Sequence, residues 1–307
     1  MTRLDVKEVT VRFGGVTAVD QATISAEGGQ VTALIGPNGA GKTTLFNVVT
    51  GLQKPTGGRV FLDGKDITHT PTHRRARHGI ARTFQRLEAF GSLTVEENIR
   101  VAADAVRAKN AKPAQVTRGL IKRIGLERYA DARADAVPTG VARLVELARA
   151  LAIDPELLLL DEPSSGLSEA ETESFGELLR DLASQGRAVL IVEHDMGLIM
   201  RVSDVIHVLD RGRLIASGTP AEVQADPLVR KAYLGEEDEP EDDEGPEDDD
   251  GHTLVLAAAD PDDDTAALPP TRPPTPPTQP TPPASPIPPL PKGPGPESGE
   301  PASGGWF

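Results

Sequence analysis

An eight-residue, glycine-rich segment of this chain has the composition and spacing of a loop that binds nucleotide phosphates. The segment is Gly36-Pro37-Asn38-Gly39-Ala40-Gly41-Lys42-Thr43. Its glycines allow the backbone to curl so that successive N–H groups point inward at the phosphates. Lys42 would reach the β and γ phosphates, and Thr43 would hold Mg2+. The segment therefore predicts a site for a nucleoside triphosphate.

The residues on either side of this loop support the same interpretation. An apolar run, Val31 to Ile35, predicts a buried strand before the loop, and Thr44 to Thr50 predicts a helix after it. The partly positive N-terminus of that helix, at Thr44, would add to the attraction for phosphate. The alternative is a plain glycine-rich turn between a strand and a helix.

Two carboxylates follow a second buried strand. Leu157 to Leu160 is apolar on both faces, and Asp161 and Glu162 come directly after it. Parallel strands deliver the residues at their carboxyl ends to one edge of a sheet, which places this pair beside the phosphate loop. Asp161 would support Mg2+ through its water shell, and Glu162 would polarise the water that attacks the γ-phosphate. A solvated turn is the alternative for such a pair standing alone.

Three further side chains are candidates for the same site. Gln85 follows the apolar-containing segment Ile80 to Phe84, where its amide could touch Mg2+ or the attacking water. His194 lies just beyond the strand Ala188 to Val192, where an imidazole can donate to a γ-phosphate oxygen. Phe13, at the end of the first strand, could stack on a nucleotide base. Each has a purely structural alternative: an exposed amide, a structural histidine and an edge aromatic.

The remaining pattern predicts an α/β fold with two kinds of sheet. Val6 to Phe13 and Ala18 to Ile24 read as strands joined by a turn at Gly14-Gly15, so the chain opens with β structure. The short apolar strands form a parallel core. Residues from about 87 to 152 are predicted to form a helical insertion. Further predicted helices and strands follow Val192. The predicted helices are Val95–Ala108, Ala114–Ile124, Ala142–Ala152 and Met196–Val202, and the predicted late strands are Val205–Asp210 and Arg213–Ser217. The segments Pro220–Ala225 and Pro227–Leu234 close the fold.

The composition changes sharply near Gly235. Residues 236–307 hold 18 acidic and 2 basic residues and 19 of the 28 prolines, so they carry a net charge of −16 and the preceding 235 residues carry +1. A segment with so few large apolar residues cannot offset the entropy of ordering, which predicts a disordered tail. That tail is either a solvated linker or a docking segment for a partner.

Several classes of protein are disfavoured by composition. The chain has no cysteine, which excludes disulfides and thiolate metal sites and fits a reducing compartment such as the cytoplasm. The near-neutral body gives no electrostatic reason to expect nucleic acid as a partner. The first residues lack the apolar core of a signal peptide, and no apolar run approaches the roughly 20 residues that span a bilayer.

These motifs, in this order, resemble the nucleotide-binding subunit of ATP-binding cassette (ABC) transporters over residues 3 to 235. The resemblance implies a P-loop NTPase fold with an N-terminal antiparallel β subdomain, a RecA-like parallel-sheet core and an inserted helical subdomain. It identifies the phosphate loop as Walker A and Leu157 to Asp161 as Walker B. Glu162 is then the catalytic glutamate, His194 the switch histidine and Gln85 the Q-loop. The segments 81–85, 193–196 and 232–235 are most similar to the branched-chain amino acid importer ATPases.

Two segments depart from the family pattern. The signature, usually Leu-Ser-Gly-Gly-Gln, aligns with Val137-Pro138-Thr139-Gly140-Val141, so proline replaces the serine that meets the partner subunit's γ-phosphate. Pro138 suits a first helical turn, Thr139 supplies a hydroxyl, and the Gly140 N–H lies near a positive helix end, so contact with phosphate is expected to be retained. Ser168 stands where many members have an aspartate that signals across the dimer.

The resemblance implies an ATPase that uses ATP and Mg2+ and dimerises around bound nucleotide. Its partners would be a second ABC ATPase subunit, transmembrane permease subunits and, indirectly, a substrate-binding protein, with the chain peripheral on the inner face of the cell membrane. The implied cargo is a branched-chain or other small amino acid. Two alternatives stay open: a non-transport ABC ATPase, and a regulatory ATP binder with impaired turnover, which Pro138 and Ser168 favour and Glu162 and His194 oppose.

Overall fold

The computed structural model describes residues 2–105 and 112–234, which form two β-sheets with helices packed around them. One sheet has four strands in the order β2-β1-β4-β5 and is antiparallel; the other has six in the order β10-β9-β3-β8-β7-β6, parallel except for β10. The strands are β1 Arg3–Phe13, β2 Val16–Glu27, β3 Val31–Ile35, β4 Gly57–Leu62, β5 Lys65–Asp66, β6 Ile80–Arg82, β7 Leu157–Asp161, β8 Ala188–Val192, β9 Val205–Asp210 and β10 Arg213–Gly218.

The helices fall into four groups along the described chain. α1 follows the first core strand, α2 precedes β6, α3 to α5 form the helical insertion, and the others alternate with or follow the later strands. Their bounds are α1 Lys42–Thr50, α2 Thr72–Arg77, α3 Val95–Ala105, α4 Pro113–Ile124, α5 Thr139–Leu151, α6 Glu169–Ser184, α7 Met196–Val202, α8 Pro220–Ala225 and α9 Pro227–Leu234.

The central strands of the six-stranded sheet, β3, β7 and β8, are buried on both faces, which is why they have mainly apolar sequences. All five residues of β3, of β7 and of β8 are buried. Alternate residues point to opposite faces, so Val31, Ala33 and Ile35 pack with helices α3 to α7, whereas Leu34 packs with α1 and the antiparallel sheet. The sheet is thereby held rigidly, with its carboxyl edge free to present loops.

The structure confirms the predicted α/β class and most elements, with differences that have local causes. The helix predicted from Ala142 begins three residues earlier, at Thr139, because Pro138 is its N-cap residue and lies just outside the helix. Strands β4, β5 and β6 and helices α2 and α6 were not predicted, and the segments that form α8 and α9 were predicted without a structural type. Residues 106–108 of the predicted Val95–Ala108 helix, the boundary at Gly235 and the predicted disordered tail lie outside the described residues. Within the described ranges, none of the helices has the length and apolar character needed to cross a bilayer.

Candidate active site

The glycine-rich loop between β3 and α1 is packed so closely that two of its glycines have no room for a side chain. Gly36 has a φ of 151°, and a Cβ there would lie 2.0 Å from the Leu209 carbonyl oxygen. Gly41 has a φ of 101°, and its Cβ would lie 2.4 Å from the Ala18 carbonyl oxygen. The loop therefore lies between β2 and the end of β9, in a conformation that only glycine adopts there without strain.

Lys42 begins helix α1 and folds back over the loop. Its Nζ donates to the carbonyl oxygens of Gly36 and Pro37, at 2.5 and 2.8 Å. Burial lowers the pKa of Lys42, and the carboxylates of Glu162 and Asp161 partly offset that change. The ammonium group is thus already held at the mouth of the loop, with two carboxylates near it.

Helix α9, the last helix in the described ranges, also reaches this loop. Burial raises the pKa of the Tyr233 phenol above its usual value, and a hydrogen bond with the backbone of Gly36 partly offsets the rise. The sequence singled out residues 232–235 only as a family similarity. The contact of Tyr233 with the phosphate loop depends on the chain returning past β10, which no local pattern indicates.

Four neighbouring parallel strands deliver the other candidate residues to one edge of the sheet. Strands β3, β8, β7 and β6 lie side by side and end, respectively, at the phosphate loop and before His194, Glu162 and Gln85. The Gln85 Nε2 donates to the Glu162 Oε2 at 3.1 Å, across 77 residues of sequence. The fold therefore brings Gln85 into contact with the second carboxylate, a pairing that the sequence did not predict, and the predicted contact of its amide with Mg2+ or the attacking water stays a prediction.

The two carboxylates after β7 differ in environment. Asp161 is 1% exposed, and burial raises its pKa, with the opposing influence of Arg82 smaller. Its backbone N–H donates to the Thr83 hydroxyl at 3.2 Å. Glu162 has a φ of 48°, a left-handed conformation that turns the chain sharply and leaves the carboxylate partly exposed. Asp161 is thus buried at the edge of the sheet, whereas Glu162 is partly exposed there.

The donor set at this edge fits Mg2+. A threonine hydroxyl, a carboxylate and a side-chain amide, from Thr43, Asp161 and Gln85, are the hard oxygen ligands that Mg2+ prefers. Within the described ranges no cluster of three or more His, Cys, Asp or Glu side chains could hold a metal on its own.

His194 follows β8 and is exposed, with 74% of its side chain accessible. The preceding residue, Glu193, is buried and accepts hydrogen bonds from the backbone N–H groups of Ser164 and His194, at 2.7 and 3.2 Å. Glu193 therefore joins the loop after β8 to the loop after β7. Glu193 belongs to the segment 193–196 that resembles the family, but its connection to the loop after β7 is not evident from the sequence.

Phe13 lies at the end of β1, directly opposite Val16 on β2, and half of it is exposed. Its ring is therefore available to a planar partner. Its predicted stacking on a nucleotide base stays a prediction.

Known proteins and structures share this arrangement. A family model described as ABC transporter matches residues 19–165, and one described as Branched-chain amino acid ATP-binding cassette transporter matches residues 213–239. The high-affinity branched-chain amino acid transport ATP-binding protein BraF of Pseudomonas aeruginosa is 39% identical over 249 residues, which cover 76% of this chain and 98% of BraF. The chain belongs to the ABC transporter ATP-binding family.

Solved ABC cassettes have the same fold. A nucleotide-free ATP-binding cassette from an ABC transporter is 29% identical with a TM-score of 0.69, covering 77% of this chain and all of the cassette. A bacterial ABC transporter cassette solved as a dimer is 25% identical with a TM-score of 0.65, covering 71% of this chain and 98% of the cassette. The chain is therefore an ABC transporter ATPase subunit that binds and hydrolyses ATP.

The degenerate signature of this ABC ATPase forms the start of helix α5. Pro138 is the N-cap residue, without a side-chain cap, and its carbonyl oxygen accepts the Ala142 N–H at 3.0 Å. The N–H groups of the first helical residues, Thr139, Gly140 and Val141, have no intrahelical acceptor in an α-helix. Thr139 is exposed, whereas Gly140 is buried. The serine-less signature therefore still has an exposed hydroxyl and a positive helix end.

Ser168 has a local structural role in this cassette. It is the N-cap of helix α6, where its hydroxyl accepts the Glu171 N–H and the Glu171 carboxylate accepts the Ser168 N–H, at 3.4 and 2.7 Å. Serine caps helices about as well as aspartate does. The substitution therefore preserves the start of α6, while its predicted effect on cross-talk between subunits stays a prediction.

Charged residues on the signature helix hold the Q-loop, a connection that the sequence analysis missed. Arg143 donates to the carbonyl oxygens of Phe84 and Gln85 at 2.8 and 2.5 Å, and it pairs with Glu146 at 3.5 Å. Glu146 also accepts the Glu88 N–H. Burial raises the pKa of Glu146, and Arg143 opposes that rise. Arg143 and Glu146 are three residues apart on α5, which puts both side chains on one face of the helix. This spacing is the feature of the sequence that could have indicated the pair.

Replacement of Arg143 by methionine is expected to destabilise the cassette by about 3 kcal/mol, because it leaves a buried Glu146 and two carbonyl groups without their partner. The matched control is Arg123→Met, which removes an exposed ion pair with Asp181 and should cost less than about 1 kcal/mol. Urea unfolding of nucleotide-free protein measures both. Equal losses in the two variants would contradict the proposed hold on the Q-loop.

Proposed function

We propose that this ABC ATPase energises the import of branched-chain or other small amino acids. The observation that carries this proposal is the similarity to BraF, which spans nearly all of that protein. The second family match, over residues 213–239, supports it because it lies outside the motifs that all such ATPases need for chemistry. The cargo would be selected by other subunits, so this chain supplies energy rather than substrate recognition.

We propose that the phosphate loop binds ATP through its backbone N–H groups and Lys42. On binding, the Lys42 ammonium would exchange its two loop carbonyls for the β and γ phosphate oxygens, which are stronger acceptors because they are charged. The Thr44 N–H, in the first turn of α1, adds to the positive end of that helix. Phe13 would stack on adenine from the adjoining antiparallel sheet.

For hydrolysis, we propose that Glu162 accepts a hydrogen bond from the attacking water and aligns it with the γ-phosphate. Its contact with Gln85 holds the carboxylate in place, and the Gln85 amide would also contact Mg2+ or the attacking water. His194 donates to a γ-phosphate oxygen. Thr43 and Asp161 would hold Mg2+, which when bound neutralises charge on the phosphates. The protein groups therefore act by positioning, by charge stabilisation and, at Glu162, by accepting the proton of the attacking water.

We propose that the active unit contains two ATPase subunits. In such a pair the positive end of α5, with the Thr139 hydroxyl and the Gly140 N–H, would meet the γ-phosphate bound by the other subunit. Pro138 removes one hydroxyl from that contact but leaves the backbone donors in place. Whether the partner is a second copy or a related chain, ATP joins the two and hydrolysis releases them.

We propose that a transmembrane permease docks beside the Q-loop. A groove with a volume of about 280 Å³ lies there between the core sheet and the helical insertion. Leu52 and Phe84 line it and are 53% and 38% exposed. Because Phe84 directly precedes Gln85, a movement of the permease in the groove would reach the site through the Q-loop. This contact would place the chain at the inner face of the membrane and, through the permease, connect it to a substrate-binding protein.

The test is uptake by cells of the source organism in which the gene for this chain has been deleted. We expect uptake of radiolabelled leucine, isoleucine and valine to fall and to be restored by the wild-type gene but not by Glu162→Gln. Sulfate uptake is the control for membrane integrity and energy supply. Unchanged amino acid uptake, with the other importers of these amino acids also deleted, would contradict the cargo. It would favour another transported compound or a non-transport role.

A further inference from the structure

Arg82, the last residue of β6, carries a buried guanidinium beside the site. The side chains of Arg82 and Asp161 are 6% and 1% exposed, and Nη2 donates to the Asp161 Oδ2 at 2.8 Å. The other terminal nitrogen, Nη1, donates to the Asn47 Oδ1 at 2.5 Å. One planar cation therefore bridges two elements that are 79 and 35 residues away from it in sequence.

Both partners of Arg82 connect to groups that face Mg2+ in the proposed site. Asn47 lies on helix α1 four residues after Thr43, so the two are on the same side of the helix, one turn apart. Asp161 ends strand β7. Arg82 is thus a strut between the helix that carries the Thr43 hydroxyl and the strand that carries the Asp161 carboxylate.

The strut is fixed from several sides. Phe46 and Phe84 lie against the guanidinium, with ring centres 5.5 and 5.0 Å from it. Thr83 donates its backbone N–H to the Leu159 carbonyl at 3.0 Å and accepts the Asp161 N–H through its hydroxyl at 3.2 Å. A change of rotamer at Arg82 would break its contacts with both rings.

Stability alone is a weak reason for this arrangement. A buried ion pair recovers its desolvation cost only with excellent geometry, and well-packed apolar groups of similar volume often stabilise a protein as much or more. An ion pair of this form does fix the relative orientation of its partners, because a guanidinium has donors at fixed angles and a lysine ammonium does not. Two metal ligands on separate elements, such as Thr43 and Asp161, need such a fixed orientation to bind one ion.

We propose that Arg82 is a positioning residue, which sets the spacing of Thr43 and Asp161 so that both meet the Mg2+ of bound nucleotide. The inference rests on the proposed roles of Thr43 and Asp161. Loss of the strut leaves the phosphate loop intact. Its removal therefore weakens the part of nucleotide affinity that depends on Mg2+ and spares the part that does not.

The experiment measures the affinity of the full chain for a fluorescent, non-hydrolysable ATP analogue in Mg2+ and in EDTA. The ratio of the two dissociation constants is the gain due to Mg2+. In Arg82→Met this gain is expected to fall about tenfold, the usual scale for groups that orient metal ligands, while affinity in EDTA stays within about twofold. Arg82→Lys, which keeps the charge and cannot bridge both partners, is expected to restore only part of the gain.

Asn47→Leu tests the strut without disturbing the buried cation's partner Asp161. It is expected to lower the Mg2+ gain as well, and Asn47→Leu combined with Arg82→Met should add little to the loss in Arg82→Met alone. This variant keeps the inference testable even where Arg82→Met fails to fold. A full Mg2+ gain in Asn47→Leu and in folded Arg82→Lys would overturn the inference.

Arg75→Met is the matched control, since Arg75 is another buried arginine bound to α1. It donates to the carbonyl oxygens of Val48 and Val49 at 2.7 and 2.6 Å, at the end of the helix away from the loop. This variant is expected to lose stability and keep the Mg2+ gain; an equal loss of gain would mean that Arg82 acts only through general stability. Asp161→Asn tests the proposed metal role of Asp161 separately from the positioning role of Arg82. An undiminished Mg2+ gain in that variant would contradict the metal role itself.

Discussion

Substitution of Glu162 by glutamine is expected to lower the rate of ATP hydrolysis about 100- to 1,000-fold, the scale of a lost general base, while nucleotide binding persists. The amide has the shape of the carboxylate and can still accept the hydrogen bond from Gln85 Nε2, which is 3.1 Å long in the wild type. It cannot accept a proton from the attacking water. The variant therefore removes the chemistry and leaves the geometry.

Steady-state phosphate release measures this loss, and size-exclusion chromatography with and without ATP measures association. Glu162→Gln is expected to accumulate an ATP-dependent dimer because ATP stays uncleaved. Glu173→Gln, at an exposed position on α6, is the control and should hydrolyse ATP at the wild-type rate. Wild-type turnover in Glu162→Gln would contradict the assignment. A variant that binds ATP but stays monomeric would show instead that the Pro138 signature needs a different partner subunit.

Substitution of Lys42 by glutamine is expected to weaken ATP binding about 100-fold, equivalent to about 2.7 kcal/mol, which is the contribution of hydrogen bonds from a charged donor. The glutamine amide can still donate to the carbonyl oxygens of Gly36 and Pro37, so the loop keeps its conformation. What is lost is the positive charge for the β and γ phosphates. Hydrolysis should fall at least as much as binding does.

Isothermal titration calorimetry with ATP and Mg2+ measures the loss of affinity, and thermal unfolding without nucleotide checks that the fold is intact. Lys54→Gln, an exposed lysine just beyond helix α1, is the control and should bind ATP normally. If Lys42→Gln binds as tightly as the wild type, the loop is held for a structural purpose and Lys42 has no role towards phosphate.

The sequence indicated most of the elements that surround the site because their patterns are local. Short, mainly apolar runs in β3, β7 and β8 indicated strands buried on both faces, and the glycine-rich loop after β3 needed only its own spacing to be recognised. Helix α6 was missed although it carried a local signal, the capping box formed by Ser168 and Glu171 before a run with helical period. Because α6 was not predicted, Ser168 was interpreted only as a departure from the family pattern and not as the residue that caps this helix.

The sequence by itself determined which residue types could perform phosphate chemistry and that parallel strands would end beside them. Only the tertiary structure decided how those residues are held: Gln85 against Glu162, Arg143 on the Q-loop carbonyls, and Arg82 between Asn47 and Asp161. The register of β6 against β7, in which Arg82 lies opposite Leu159, fixes the last of these. Helical and strand periods are encoded in a few adjacent residues, whereas contacts across 35 to 79 residues depend on sheet order and register, which no local pattern contains.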